Sequence, residues 1–225
     1  MNNPQPVYDF HLHTFLSDGV LLPIELLRRA VVAGYLAIAI ADHAGPSTLD
    51  DVIPRLARDC ALAEKHWPIR ALPAAELTHC PPAAIAELAA AARRAGARII
   101  VVHGETIVEP VEPGTNRAAV SCPDVDLLAH PGLITLDDAH LAARNGVFLE
   151  ISARKGHCLA NGHVVAIGRQ AGCSFLVNSD GHEPADLLSA GFAEQVAAGA
   201  GLSGDEIATC LRANAESLLQ RVSNR

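Results

Sequence analysis

The stretch LAIAIADH, residues 36–43, is a short apolar run that ends in an aspartate and a histidine. It follows the amphipathic pattern LPIELLRRAVVAG (22–34) and precedes a second such pattern, LDDVIPRLARDCALAEKH (49–66). A short apolar run indicates a buried strand, and amphipathic segments, one of which ends in Gly34, indicate helices. The stretch therefore predicts a strand between two helices, which is the repeating unit of parallel α/β proteins.

The same strand-then-helix unit recurs along the whole chain. Seven apolar runs, from PVYDFHL (6–12) to SFLVNSD (174–180), alternate with amphipathic segments, and a last helix is predicted from about Ser203 to Arg221. Seven units in 225 residues favour an α/β fold, a distorted seven-stranded (βα)7 TIM-like barrel, over a doubly wound open sheet. The rhythm has no break, so residues 1–225 are predicted to form a single domain.

One long stretch, GETIVEPVEPGTNRAAVSCPD (104–124), has neither strand nor helix periodicity. We predict an irregular loop there. A loop of this length is uncommon unless it is functional or disordered. It is either a solvated surface loop or a lid over the mouth of the barrel.

Composition narrows the class of partner. The net charge of -8 argues against nucleic acid as a partner, because phosphate contacts need Lys and Arg, although a nucleotide stays possible as a substrate. The six cysteines are scattered and form no C-x-x-C pair, which predicts reduced thiols. Residues 1–10 show no signal-peptide pattern, and no apolar run reaches the roughly 18 residues of a membrane span. A cytoplasmic protein without membrane contact is predicted; the oligomeric state is not predicted.

Each predicted strand leads into side chains that can bind a metal ion. Along the chain these are His11 and His13 with Asp18 on the following loop, Asp42–His43, Glu76, His103, His130, Glu150, and Asp180 with His182. Parallel βα architecture brings the carboxyl ends of all strands to one face. Imidazole and carboxylate ligands without cysteine suit catalytic Zn, Mn or Fe. The set exceeds the needs of one ion, so two to three divalent ions are predicted; Glu150 is either a ligand or a structural carboxylate.

Cationic side chains near the same face are candidates for substrate binding. Arg154 and Lys155 follow the sixth strand in EISARKG, and Arg117 lies beside the long loop. A guanidinium fork suits a phosphate dianion. The alternative interpretation of Arg154 and Lys155 is a solvated charged turn.

The remaining histidines divide into two groups. His79, three residues after Glu76, is within reach of the mouth, whereas His66 and His140 are predicted to be ordinary surface residues. Asn161, between His157 and His163, is predicted to be a helix N-cap.

Six segments resemble, in order and spacing, the motifs of the PHP (polymerase and histidinol phosphatase) superfamily. They are DFHLHTFLSDG, ADHAG, PAAEL, VVHGE, LLAHPG and VNSDGH, and together they span essentially the whole chain. Within the superfamily the chain resembles stand-alone histidinol-phosphatase-like members, as the GETIVEP…PGTN and EISARKG…NGH stretches indicate. The resemblance implies a distorted seven-stranded barrel with up to three metals that hydrolyses phosphoesters, here a small phosphate monoester.

The resemblance also implies how the ligands are shared among a trinuclear site. The first metal would be held by His11, His13, Glu76 and Asp180; the second by Glu76, as a bridge, with His103 and His130; the third by Asp18, His43 and His182. From the chemistry of phosphoester hydrolysis we expect attack by a metal-bridging hydroxide. The proton for the leaving group is expected from Asp18, His43 or a metal-bound water.

Three other functions compete with this one. An amidohydrolase-type barrel, which cleaves C–N bonds, also begins with His-x-His, but its bridging ligand is typically a modified lysine and no lysine ends a strand here. A nuclease or nucleotide phosphatase of the same superfamily is opposed by the acidic charge. A non-catalytic module is opposed by the full ligand set.

Overall fold

The computed structural model of the protein describes residues 6–225. The strands are β1 (Val7–Leu12), β2 (Tyr35–Ile40), β3 (His43–Ala44), β4 (Arg70–Leu77), β5 (Ile99–His103), β6 (Leu127–Ala129), β7 (Phe148–Ser152) and β8 (Phe175–Asn178). The helices are α1 (Pro23–Val32), α2 (Leu49–His66), α3 (Ile85–Ala95), α4 (Thr115–Ser121), α5 (Leu136–Asn145), α6 (Asn161–Ala171), α7 (Ala190–Gly199), α8 (Gly204–Ala208) and α9 (Ala215–Ser223). The segment used to predict the absence of a signal peptide includes residues 1–5, which lie outside the described residues.

Seven parallel strands follow one another around a nearly closed barrel in the order β1-β2-β4-β5-β6-β7-β8, and the two-residue β3 pairs with the end of β4. The last gap, between β1 and β8, is narrowed by a parallel bridge from Leu12 to Gly181. There the backbone N–H of His13 donates to the carbonyl of Gly181 at 2.9 Å. The predicted seven-stranded TIM-like barrel is confirmed.

The core consists of two apolar layers because each strand is buried on both faces. The outer layer packs the strands against the surrounding helices. The inner layer fills the barrel and is rich in small side chains, here called the inner alanines: Ala37, Ala39, Ala41, Ala74 and Ala129. Leu218 and Val222 of α9 pack into the same layer beside the amino-terminal ends of the strands. The opposite, carboxyl-terminal end of the barrel contains polar side chains.

Several local predictions hold and three need correction. Gly34, predicted to end the first helix, has φ 82 and follows the last residue of α1 by two positions. Gly96, Gly146 and Gly172 likewise end their helices in the left-handed conformation. The stretch 104–124 is not irregular throughout, because residues 115–121 form α4, so the loop proper is 104–114. The last helix is interrupted by a π-helical segment, Thr209–Asn214, between α8 and α9.

Asn161 is not an N-cap, which is the third correction. It is the first residue of α6, and its side chain bonds the backbone N–H and carbonyl of Ser152 at 3.2 and 2.8 Å. The amide thus ties α6 to the end of β7 instead of capping its own helix.

All six cysteines are free thiols, as predicted. Among residues 6–225 there is no helix whose length and apolar character would let it cross a membrane. The cytoplasmic location stays a prediction.

Candidate metal centre

The carboxyl-terminal end of the barrel opens into a polar depression, here called the mouth. Its lining residues are Asp18, His43, Thr78, His79, His103, Glu109, His130, Arg154, His157, Asp180 and His182. Below them lie His11, His13 and Glu76, each at most 1% exposed. The nine predicted metal ligands therefore meet at one end of the barrel, although they span 172 positions of sequence.

A bulge in β1 aims the first two histidines into the barrel. Between Asp9 and Leu12, three steps along β1 match two steps along β2, so β1 contains one extra residue. Phe10 packs in the inner layer, and beyond it His11 and His13 face inward while Leu12 belongs to the outer layer. A bulge at the rim of a barrel is a common way to redirect a side chain.

Glu76, at the end of β4, lies at the centre of the cluster and is fully buried. Its Oε1 atom lies 3.3 Å from Nε2 of His11, 3.2 Å from Nδ1 of His103 and 3.5 Å from Nε2 of His130. Its Oε2 atom lies 2.6 Å from Nδ1 of His43. The two oxygens thus face different histidines, which is the arrangement of a carboxylate that can serve two cations.

Asp180 and Asp18 organise the two remaining groups of ligands. Asp180 Oδ1 lies 3.3 Å from Nε2 of His13. Asp18 Oδ2 lies 3.1 Å from Nε2 of His182 and 3.4 Å from Nε2 of His43. Potential ligand atoms lie within 4.8 Å of one another in several overlapping sets, among them His11–His13–Asp180, His11–Glu76–His130, His43–Glu76–His103 and His13–Asp18–His43–His182.

The histidine nitrogens provide a test of whether these residues fit cations. Five buried ring nitrogens have no hydrogen-bond partner among the described residues: Nε2 of His11, both nitrogens of His13, Nε2 of His103 and Nδ1 of His130. A buried polar atom without a partner is costly. Two ligands bound at about 2.1 Å with a tetrahedral angle lie about 3.4 Å apart. The His11–Glu76 and His13–Asp180 separations of 3.3 Å match that spacing, so the residues fit divalent metal ions.

Two of the predicted ligands have unusual backbone conformations. His130 (φ 27) and Asp180 (φ 51) lie in the left-handed region, as does His79 (φ 50). Such conformations cost of the order of 1–3 kcal/mol and concentrate at functional sites. Here they turn the side chains that follow the short strands β6 and β8 toward the mouth.

Glu150 is the middle residue of β7 and does not end the strand as predicted; it is fully buried behind the ligands. Its Oε1 atom accepts hydrogen bonds from Nδ1 of His11 at 2.8 Å and from Nδ2 of Asn178 at 2.9 Å, while its Oε2 atom accepts from the backbone N–H of His130 at 3.0 Å. A carboxylate behind a histidine fixes the tautomer and leaves the far nitrogen free for a metal. Of the two roles considered for Glu150, the geometry favours the supporting one.

Electrostatics in the cluster are dominated by its opposite charges. Burial alone raises the pKa of Glu76, but the neighbouring histidines hold the pKa of this carboxyl well below its usual range. Burial alone lowers the pKa of His43, but Glu76 and Asp18 raise it to about 10. In the absence of a cation, protons on His11, His43 and His103, whose pKa values are raised by the neighbouring carboxylates, balance part of the negative charge, and a cation that binds here displaces such protons.

The three predicted cationic residues have different surroundings. Arg154 lines the mouth, and its guanidinium contacts both Asp180 and His182. Lys155 is exposed beside Arg154 in an adjoining depression. Arg117 forms an ion pair with Asp138 of α5 and is not among the residues that line the mouth.

Sequence reasoning assigned no role to three residues of the mouth, Thr78, Glu109 and His157. Oγ1 of Thr78 lies 2.7 Å from Nδ1 of His43. Glu109, in the 104–114 loop, lies 2.9 Å from Nε2 of His103. His157 stacks on the ring of His130 with centroids 4.1 Å apart. His79 reaches the mouth, as considered from the sequence. A role for His157 could have been predicted from its position five residues after the end of β7. No sequence pattern indicated a role for Glu109.

No family model matches the chain. The uncharacterized protein MJ1295 of Methanocaldococcus jannaschii is 44% identical to it over 216 residues, which cover 96% of this chain and 99% of that protein. The chain belongs to the MJ1295 family. A 5'-3' exoribonuclease of Haemophilus influenzae matches this MJ1295-family chain at 43% identity over only 44 residues, 20% of this chain and 16% of that enzyme.

Solved structures share the barrel of this MJ1295-family protein at low sequence identity. Adenine deaminase from Arthrobacter aurescens superposes with a TM-score of 0.65 and 15% identity, covering 99% of both chains. The metal-dependent tyrosine phosphatases YwqE of Bacillus subtilis and CpsB of Streptococcus pneumoniae give 0.60 and 17%, covering 95% of this chain and 94% of that one. A Listeria monocytogenes protein provisionally named a histidinol phosphatase gives 0.56 and 10%, covering 80% and 97%. At these identities the similarity shows a common fold and no more.

Proposed function

We propose that this protein is a metal-dependent hydrolase of phosphate esters, that its whole chain is one catalytic domain of the PHP superfamily, and that its substrate is a small phosphate monoester of the histidinol-phosphate kind. The observation that carries the proposal is the set of five buried, unpartnered histidine nitrogens around Glu76 and Asp180. These atoms need a partner, and the donor set of imidazoles and carboxylates suits Zn, Mn or Fe.

Nine residues would hold two to three such ions. The first group is His11, His13, Glu76 and Asp180; the second is Glu76, His103 and His130; the third is Asp18, His43 and His182. The division of Glu76 oxygens between His11 and His43 supports its role as the shared ligand. When bound, the ions supply Lewis-acid stabilisation of phosphoryl charge and an activated water.

Asp18 and His43 suit proton transfer because they are the two accessible members of the set. Their side chains are 50% and 28% exposed, whereas the other seven candidates are buried. Asp18 Oδ2 lies 3.4 Å from His43 Nε2, so when only the first two ions are bound a proton held between these side chains can reach the departing alcohol. Arg154, at the rim, can bind phosphoryl oxygens with its guanidinium; Lys155 adds positive charge beside it.

Hydrolysis of C–N bonds is the main rival, since an adenine deaminase shares the fold. The chain contains only two lysines: Lys65 is exposed on α2, and Lys155 is exposed on the loop three residues after β7, so neither is buried at a strand end. The central position of an amidohydrolase-type lysine is held by Glu76 instead. The chemistry of the centre therefore favours phosphoester substrates.

A phosphodiester is the second candidate substrate. The 44-residue match to an exoribonuclease favours it, and the net charge of -8 opposes extended contact with nucleic acid. The two substrates require the same centre and differ in the alcohol that leaves.

The test is a hydrolase screen of the chelated and metal-reconstituted protein on histidinol phosphate, sugar phosphates, nucleotides, a short oligonucleotide and a set of amides. We expect metal-dependent phosphate release that His13→Ala and Glu76→Gln abolish and that His140→Ala, an exposed control, leaves unchanged. Amide cleavage without phosphate release, or full activity of either site variant, contradicts the proposal.

A further inference from the structure

The outer edge of the mouth contains a further cluster of potential ligands, His79, His103 and Glu109. Of these three residues, only His103 is one of the nine candidate ligands. Glu109 Oε2 lies 2.9 Å from Nε2 of His103 and 3.2 Å from Nε2 of His79. The three ligand atoms lie within 4.8 Å of one another. Two ligands at right angles around a six-coordinate ion with bonds of about 2.1 Å lie about 3.0 Å apart. The separations in this cluster are therefore those of ligands around one cation.

His103 supplies the observation that points to a ligand in this cluster. The residue is 3% exposed, and its two ring nitrogens face opposite ways: Nδ1 lies 3.2 Å from Glu76 Oε1, whereas Nε2 faces Glu109. Despite the 2.9 Å separation, Nε2 makes no hydrogen bond with Glu109 or with any other described residue. A buried nitrogen that lies beside a carboxylate and has no hydrogen bond is available as a metal ligand.

His79 and His157 hold the rest of the cluster in place. The left-handed backbone of His79 brings its ring to 4.9 Å from that of His103, measured between centroids. Nδ1 of His157 is hydrogen-bonded to Oγ1 of Thr106 at 2.8 Å, which leaves its Nε2 3.4 Å from Oε1 of Glu109. Both oxygens of Glu109 are thus next to imidazole nitrogens.

We propose that His79, His103 and Glu109 form a peripheral site for a divalent transition-metal ion. His103 would bind this ion through Nε2 and keep its Nδ1 on Glu76, so that Glu76 and His130 remain for the second inner ion. Two imidazoles and one carboxylate suit Zn²⁺, Mn²⁺ or Fe²⁺ and leave positions open for water or substrate. Glu109 lies on the 104–114 loop, whereas His79 and His103 follow or end strands of the barrel. The ion therefore connects this loop to the barrel and holds it across the mouth. It also neutralises a carboxylate that would otherwise repel an anionic substrate.

The proposal is tested by counting ions in the full-length protein. Chelated protein is dialysed to equilibrium against buffered Zn²⁺, and bound zinc is measured by mass spectrometry for wild type, His79→Ala and Glu109→Gln. The side chains of His79 and Glu109 are 40% and 36% exposed, so both variants are expected to fold, and circular dichroism verifies this. His140→Ala and Glu112→Gln, exposed residues on α5 and on the same loop, are the matched controls.

We expect each site variant to bind one zinc equivalent fewer than wild type and each control to bind the same number. Hydrogen exchange gives a second readout: zinc slows exchange of residues 105–113 in wild type and in Glu112→Gln but not in His79→Ala. Equal zinc counts in wild type and His79→Ala overturn the proposal. So does a loss in Glu109→Gln that His79→Ala does not share, because Glu109 would then serve an inner ion. Neither readout depends on hydrolysis, so an inactive protein would contradict the proposed function while leaving this site standing.

Discussion

Replacing Glu150 with glutamine tests whether the residues behind the ligands set the affinity for metal. The change keeps the shape of a side chain that is fully buried and accepts from His11, Asn178 and the backbone of His130. An amide has one accepting oxygen, so its NH₂ group must face at least one of these donors. The variant also loses the negative charge that keeps the proton of His11 on Nδ1.

Two magnitudes follow from these contacts. Loss of a supporting carboxylate lowers metal affinity about 10–100-fold, which corresponds to about 1.4–2.7 kcal/mol. A donor left buried without its acceptor costs about 1–3 kcal/mol of folding free energy. For a chain of this size a loss of about 2 kcal/mol lowers the melting temperature by about 4–8 °C.

The assay is a competition titration of chelated protein with zinc against a fluorescent chelator, combined with thermal melting of the metal-free protein. Glu87→Gln, an exposed carboxylate on α3, is the control for both measurements. If Glu150→Gln binds zinc within twofold of wild type and melts at the same temperature, the support attributed to this residue is wrong.

Three further predictions concern the metal, the backbone and the thiols. Free metal at about 1,000-fold above its dissociation constant stabilises the folded protein by about 4 kcal/mol. Removing the metal with a chelator should therefore lower the melting temperature by about 8–16 °C. A shift under about 2 °C in differential scanning calorimetry contradicts a ligand set that needs cations. Gly132→Ala should lower the free energy of unfolding in urea by about 2 kcal/mol or more, because φ is +57 and the added Cβ would lie 1.8 Å from the carbonyl oxygen of Glu105. Gly172→Ala, with φ +76 and nothing within 4 Å, should cost only about 1 kcal/mol, and equal losses would contradict the steric explanation. Burial raises the pKa of the Cys173 thiol to about 11 and that of Cys210 to about 12. At pH 8 about one Cys173 thiol in a thousand is therefore ionised, and fewer at Cys210. Iodoacetamide should label both thiols only after unfolding or at strongly alkaline pH, as peptide mass mapping can measure, and rapid labelling at pH 8 contradicts this.

The strand-end ligands were predictable because topology alone determines where they meet. Glu76 and His103 end strands of regular register, so a parallel barrel must bring them to the same rim. Sequence periodicity also located most helices, because each has one apolar face against the strands.

The features that the sequence did not predict depend on side-chain contacts that leave no periodic pattern in the sequence. α4 has only seven residues and begins after a left-handed Gly114, so its pattern is too short to stand out. Asn161 bonds Ser152 across a turn instead of capping its helix. Glu109 lies on a loop, and its proximity to His103 follows from a path that no local rule specifies.

The inner alanines have a consequence for the spacing of the metal ligands. Ala41 and Ala74 precede His43 and Glu76 by two residues, and Ala129 immediately precedes His130; all three alanines are completely enclosed in the inner layer. A protein interior is close-packed and resists compression, so a methyl group is the largest side chain that these positions hold without displacement. Ala74→Val would lift the Glu76 carboxylate away from its histidine neighbours although valine itself touches no cation. The spacing of the candidate ligands is therefore governed by the volume of the apolar side chains packed below them.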